Sequence, residues 1–321
     1  MIVIKLVGGL ASQLHKYAVI SVISKKYNKE FKVDLSAYDN LSEDNVMTYD
    51  LPNLGMKPSV ASYDDVKKAK GLTFIGRVLY FFVNLFSKIP FLGVFSQKVL
   101  NRLEFMDLTK QFITKTCLSI HVSKYTSLDW VEKIAESENV FIYAEFGLRF
   151  DLIESVRGEL RNKITNIALS DNVNSYLEKI KKSVVSLSMH VRRGDYVSNE
   201  KVNQFHGTCT KEYYKEALSK YKGTDNVQLF VFSDDLEWVK SAFKEFLPEN
   251  SILVSGNKNF EDFTLMVNCT DHIVANSGFS SVSAWLSGTE ECNVTSPAKW
   301  FLDDFTNKSQ MKLLPKGWNY L

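Results

Sequence analysis

The stretch Val184-Val185-Ser186-Leu187-Ser188-Met189-His190-Val191-Arg192-Arg193-Gly194-Asp195-Tyr196 reads as a buried strand that runs into two adjacent guanidiniums and a carboxylate. Planar, permanently charged donors beside a proton acceptor suit a diphosphate leaving group better than they suit a hydrophobic ligand. Side chains alternate across an extended strand end, so Arg192 falls on the side of His190 and Arg193 on the other. Arg192 is the arginine expected to face the ligand, and Arg193 the one expected to support the loop. The competing reading is an ion-pair network confined to a loop.

Downstream of this stretch the pattern is regular. Strands are expected at 184–191, 227–232, 252–254, 272–275 and 293–295, and helices at 211–222, 236–246, 260–268 and 280–286. Strands alternating with helices predict a parallel, doubly wound α/β sheet whose ligands sit beyond the carboxyl ends of the strands. Upstream, the β-branched run Ile2–Val7 enters the turn Gly8-Gly9, and Leu10, Leu14, Tyr17, Ala18 and Val22 follow at helical spacing. With Phe31–Leu35 as a second strand, the chain opens as a βαβ unit. A boundary between two domains, 1–170 and 171–321, is expected within the polar segment 160–182.

Two further strand ends carry polar residues. Phe232-Ser233-Asp234-Asp235 precedes a helix, so Ser233 or Asp234 is either a helix cap or a sugar or base contact. The acidic doublet lacks the further ligands that Mg²⁺ requires, and no metal is expected there. Asn276-Ser277-Gly278-Phe279-Ser280 offers free N–H groups and hydroxyls at a helix start, which form an anion site or a plain cap. His206-Gly207 lies before the helix at Lys211 and joins His190 as the second candidate histidine. The turn at Gly8-Gly9 lacks the third glycine of a dinucleotide fingerprint, which argues against an NAD-dependent sugar-modifying enzyme.

The 321 residues are 45% apolar and 24% charged, the composition of a globular chain long enough for two domains. A formal charge of +2 from 39 basic and 37 acidic side chains gives no global basis for nucleic-acid binding. Cys117, Cys209, Cys269 and Cys292 are widely spaced, which predicts neither a zinc site nor a disulfide framework and fits reduced thiols in a cytoplasm. No export signal is read before Gly8. The aromatic segment 72–100 is broken by Arg77, Lys88 and Lys98 into apolar runs far shorter than the roughly 20 residues a spanning helix needs. It reads as a pair of helices packed in the first domain or, alternatively, as a basic aromatic surface in peripheral contact with the inner membrane.

Taken together, Gly8-Gly9-Leu10 with Gln13 and Tyr17-Ala18, the run from His190 to Tyr196, His206-Gly207 before Tyr213-Tyr214, Phe232 to Asp235, and Asn276-Ser277 with Phe279-Ser280 resemble the bacterial α-1,2-fucosyltransferases, colitosyltransferases included. The matches run in family order as far as Pro297-Ala298-Lys299-Trp300-Phe301. The resemblance implies a GT-B architecture of two Rossmann-like domains across a cleft, with the acceptor held by the first and the GDP-sugar by the second. It implies an inverting, metal-independent transfer of a 6-deoxy-L-hexose, L-fucose or a close relative, from GDP to a galactose-type hydroxyl in α-1,2 linkage. The setting would be O-antigen synthesis on a lipid-linked oligosaccharide.

On the same ground Arg192 would meet the β-phosphate, while His190, Arg193, His206, Ser233, Asp234, Asn276, Ser277, Gly278, Ser280, Gly9 and Ser12 would surround the donor. Inversion also needs a base near the acceptor hydroxyl. Asp195 is the first candidate and Glu200 the second. Two segments depart from the family. Ala11-Ser12 stands where Gly-Asn is usual, and Gly278 with Ser281-Val282-Ser283 stands where Thr or Ser and Trp-Trp-Gly are usual. A lost amide at position 12 would suit a donor with one hydroxyl fewer, such as GDP-colitose. A catalytically silent sugar- or nucleotide-binding protein is the rival from another class.

Overall fold

The computed structural model describes residues 1–39, 47–70, 117–122, 131, 134, 137–144, 148–288 and 292–321. The aromatic segment 72–100 lies outside the described residues. By packing, the chain divides into two units: Met1–Gly8, Val19–Met47 and Pro58–Phe146 form one, and Gly9–Ala18, Thr48–Lys57 and Gly147–Leu321 form the other.

The first unit is built on a four-stranded parallel sheet of order β2-β1-β4-β3, comprising β1 (Ile2–Lys5), β2 (Phe31–Asp34), β3 (Cys117–Val122) and β4 (Asn139–Ala144). Ile2, Val3 and Ile4 are all buried, as expected of a parallel strand covered on both faces. The chain leaves β1 through Gly8, whose φ of 90° lies in the left-handed region that favours glycine. Helix α1 (Leu10–Tyr27) follows and buries Leu10, Leu14, Ala18, Val19, Ile20 and Ile23 around much of its circumference, its residues up to Ala18 packing with the second unit. Helix α2 (Tyr63–Lys70) places Ala69 against Val3 and Phe141.

The second unit holds a six-stranded parallel sheet of order β10-β9-β8-β5-β6-β7, with β5 (Val185–Val191), β6 (Val227–Ser233), β7 (Ile252–Leu253), β8 (Asp271–Ile273), β9 (Val294–Ser296) and β10 (Asn319–Tyr320). Its helices are α3 (Phe150–Ile153), α4 (Arg157–Thr165), α5 (Asp171–Lys182), α6 (Gly194–Ser198), α7 (Glu200–His206), α8 (Lys211–Ser219), α9 (Leu236–Ala242), α10 (Asn259–Asn268), α11 (Gly278–Ser287) and α12 (Asp304–Met311). Alternation along β6 sends Leu229 and Val231 to one core with Tyr214, Val239 and Phe243, and Phe230 and Phe232 to another with Ile180, Leu265 and Met266. The sheet is therefore covered on both faces, and the two Rossmann-like units implied by the family resemblance are both present.

Strand order locates the binding edge. The chain steps from β5 to β6 to β7 in one direction and returns to the other side of β5 with β8, so the order reverses between β5 and β8. The carboxyl ends at such a reversal leave an open crevice. Arg192 follows β5, and Asn276-Ser277 follow β8.

The expected division after residue 170 differs from the packing, which assigns everything from Gly147 onward to the second unit. Arg161 on α4 donates to the carbonyls of Val267, Leu286 and Ser287, and Trp285 Nε1 donates to Glu154. The Arg161 contacts cap the carboxyl ends of α10 and α11 with a cation, which no local sequence pattern announces.

Candidate active site

At the end of β5, Arg192 lies between two carboxylates: Nη2 is 2.5 Å from Asp195 Oδ1 and Nη1 is 2.8 Å from Asp234 Oδ2. Its side chain is 34% exposed, so these partners sit at a solvent-accessible edge where another anion can compete for the guanidinium. Arg193 goes the other way, its Nε 3.0 Å from Asp235 Oδ2 and its guanidinium 3.8 Å above the Trp238 ring. Strand alternation thus separates the two arginines, and the second fastens the β5 end to α9.

Asp234 is fixed by its other oxygen, which accepts from Arg193 N at 2.8 Å. That approach depends on Gly194, because a Cβ there would lie 2.6 Å from Asp234 Oδ2. Ser233 Oγ donates to Val191 O at 2.9 Å and accepts from Asp235 N, clamping the ends of β5 and β6. Asp235 caps α9 through Trp238 N, and the Arg193 guanidinium holds its carboxyl below the usual range.

The other wall is the turn from β8 into α11. Asn276 Nδ2 donates to the carbonyls of His206, Gly207 and Trp300, and its Oδ1 accepts from Cys209 Sγ. The amide is spent on joining three chain segments, so Asn276, a candidate donor contact by sequence, shapes the wall. Ser280 is similarly committed, accepting from Ala275 N and donating to Ser277 O. Ser277 caps α11 by accepting from Phe279 N.

Gly278 opens α11 with Leu148 and Ala11 as its nearest neighbours, a Cβ built there lying 3.8 Å and 3.9 Å from them. The amino-terminal turns of α11 and α1 therefore meet, which brings Gly9 and Ser12 toward Ser277 and Gly278. Two helix N-termini at one place concentrate partial positive charge. Buried Lys16 on α1 donates to Ser12 Oγ at 2.9 Å.

His190, 5% exposed, packs its ring 5.5 Å from Phe279. Its Nδ1 has no hydrogen-bond partner among the described residues. Burial, reinforced by the charge of Arg192, lowers its pKa to about 3, so the ring is neutral. A buried, unsatisfied ring nitrogen at the crevice is a group that a polar ligand would satisfy. His206 stacks on Tyr196 at 4.7 Å, and Tyr196 in turn donates to Asn276 O at 3.2 Å.

Of the two candidate bases, Asp195 touches Arg192 directly. Glu200 sits in the first turn of α7 and accepts from Gln204 one turn further along its own helix. Sequence reasoning passed over Asp262 on α10, whose carboxyl is raised to about 6 by burial while Asn257 donates to it. It also missed the stapling role of Tyr213 and Tyr214, whose hydroxyls donate to Val274 O and His190 O. Their signal was the Tyr-Tyr pair after His206-Gly207. Among the described residues no group of three or more His, Cys, Asp or Glu is placed to hold a metal ion.

Comparison with known proteins gives this geometry its context. The chain is 29% identical to an α-1,2-colitosyltransferase of Escherichia coli over 94% of its length and 92% of that protein. It is 27% identical to the O-antigen biosynthesis glycosyltransferase WbnK of Escherichia coli, covering 95% of this chain and 96% of that one. Among solved structures, a mutant of Arabidopsis thaliana FUT1 in complex with GDP aligns with 91% of this chain and 69% of its own at 12% identity and a TM-score of 0.48. The sequence profile of glycosyl transferase family 11 matches residues 104–321, which include β5 to β10 and the whole Arg192–Asp234 cluster, and the chain belongs to that family.

Proposed function

We propose that the protein is an inverting glycosyltransferase that moves a 6-deoxy-L-hexose from a GDP-sugar to a galactose-type hydroxyl in α-1,2 linkage, during O-antigen or related surface-polysaccharide synthesis. The observation that carries this reading is Arg192 held between Asp195 and Asp234 at the crevice where the strand order reverses. The second unit holds the donor and the first the acceptor, a lipid-linked oligosaccharide met at the cytoplasmic face of the membrane.

In the forward reaction the diphosphate displaces the carboxylates from Arg192. The guanidinium then stabilises the negative charge that develops as the bond between the sugar C1 and the β-phosphate oxygen breaks. The freed Asp195 accepts the proton of the acceptor hydroxyl, whose oxygen forms the new bond to C1 from the opposite face. GDP leaves with both bonding electrons, and Asp195 returns its proton to solvent. A fixed guanidinium supplies the charge stabilisation that a divalent cation provides elsewhere, so no metal takes part. The helix N-termini at Gly9 and Gly278, with Ser277, donate to the remaining phosphate oxygens. His190 Nδ1 meets a polar atom of the nucleotide sugar.

A second reading concerns the donor. Position 12 is a serine, which has no side-chain amide to offer a sugar hydroxyl, and its Oγ accepts from Lys16. That favours a deoxygenated relative of fucose, GDP-colitose, as the preferred donor. A screen of GDP-sugars with one galactoside acceptor tests both readings. Product from either 6-deoxy donor, undiminished by a chelator, supports the function, and faster turnover of GDP-colitose supports the second reading. GDP binding without product from any donor would leave a silent binding protein.

A further inference from the structure

We infer that the exposed face of α12 is a membrane-docking surface, specific for anionic lipid, that holds the candidate active site beside the bilayer. Phe305 is 74% exposed, and Leu302, just before the helix, is 45% exposed. Phe305, Lys308 and Lys312 recur at spacings of three and four and so share one helical face, with both lysines exposed. Exposed Lys299 and Lys316 flank the helix. Two acids lie nearby, Asp303, which caps α12 through Thr306 N at 2.7 Å, and Asp304, so four lysines outnumber two carboxylates.

The opposite face buries Gln310, so α12 is anchored on one side and presents aromatic, aliphatic and cationic groups on the other. Two apolar side chains are far less than the roughly 800 Å² per partner of a stable protein interface. Shallow insertion of an aromatic and a leucine, reinforced by lysines over a negative surface, is a pattern that binds anionic bilayers.

The surface is coupled to the crevice. Asn307 Oδ1 accepts from Trp300 N at 2.7 Å, and Trp300 O accepts from Asn276. Leu302 N donates to Phe205 O at 3.0 Å, and a Cβ on Gly207 would lie 3.0 Å from the Leu302 side chain. Docking of α12 therefore fixes the height of the β8–α11 turn above the lipid, where a lipid-carried acceptor presents its sugar. The inference is independent of which sugar is transferred.

The test is co-sedimentation of the full chain with vesicles of phosphatidylglycerol and phosphatidylcholine, against phosphatidylcholine alone. Binding to the anionic vesicles at low salt and its loss at high salt are expected. The double variant Lys308→Glu/Lys312→Glu should bind about tenfold or more weakly, and Phe305→Ser severalfold more weakly. Turnover of a soluble acceptor should be unchanged in both, which separates this surface from the proposed chemistry. Lys308→Gln/Lys312→Gln, checked by its melting curve, guards against a folding defect. Absence of binding to anionic vesicles, or wild-type binding by both double variants, would overturn the inference. A change of oligomeric state in Phe305→Ser with vesicle binding intact would assign the face to protein contact and overturn it equally.

Discussion

The two walls of the crevice use polar residues in opposite ways. After β5, Arg192 shares its guanidinium between two carboxylates at a solvent-exposed edge, and none of these contacts is sealed from competition. After β8, Asn276 and Ser280 are buried, and the Asn276 Nδ2 and Ser280 Oγ atoms are bound to main-chain partners. One wall is open to a new partner and the other is not. Residues that look alike in a motif divide into exposed groups that solvent reaches and buried groups already bound.

That contrast predicts different failures. Arg192→Ala should reduce turnover by about 10³-fold while leaving the melting temperature near wild type, because the lost group acts on developing charge and sits at an exposed edge. Steady-state rates with saturating donor check this, and a loss below tenfold would break the distinction. Asn276→Ala should do the reverse in kind. Removing one amide leaves the carbonyls of His206, Gly207 and Trp300 without their donor, at a cost of about 2–3 kcal/mol. Denaturant unfolding reads that cost, and an unchanged midpoint would show that the wall does not depend on the amide.

A further effect comes from protons. Burial depresses His15 to about 4 and His190 and His272 to about 3, the last lying between Ser188 and Ser287. The unfolded chain takes up these protons as the pH falls through about 6.5, whereas the folded protein does so only near 3–4. Their stabilisation is thus fully present above pH 6.5 and is lost progressively as the pH falls. Melting temperatures from pH 7.5 to 4.5 should decline, and a flat profile would contradict the buried neutral state of these rings.

Much of the second unit was legible in the sequence because its signals are local. Apolar runs of strand length marked β5 and β6, and the alternation in Met189-His190-Val191-Arg192-Arg193 already separated the two arginines. What stayed hidden depends on residues far apart in the chain. No spacing rule reveals that Asn276 gathers three carbonyls, that Arg161 caps two helices, or that Gly194 makes room for Asp234. The domain boundary was displaced for the same reason, since α3 and α4 are assigned by contacts with α10 and α11 rather than by composition.

The central claim is that Asp195 and the diphosphate compete for Arg192, and that the displaced carboxylate then takes the acceptor proton. Asp195→Asn tests it in one preparation, with GDP affinity measured by calorimetry and turnover measured alongside. The account predicts GDP binding equal to or tighter than wild type together with turnover reduced by about 10²-fold or more. Near-normal turnover, or weakened GDP binding, would contradict it.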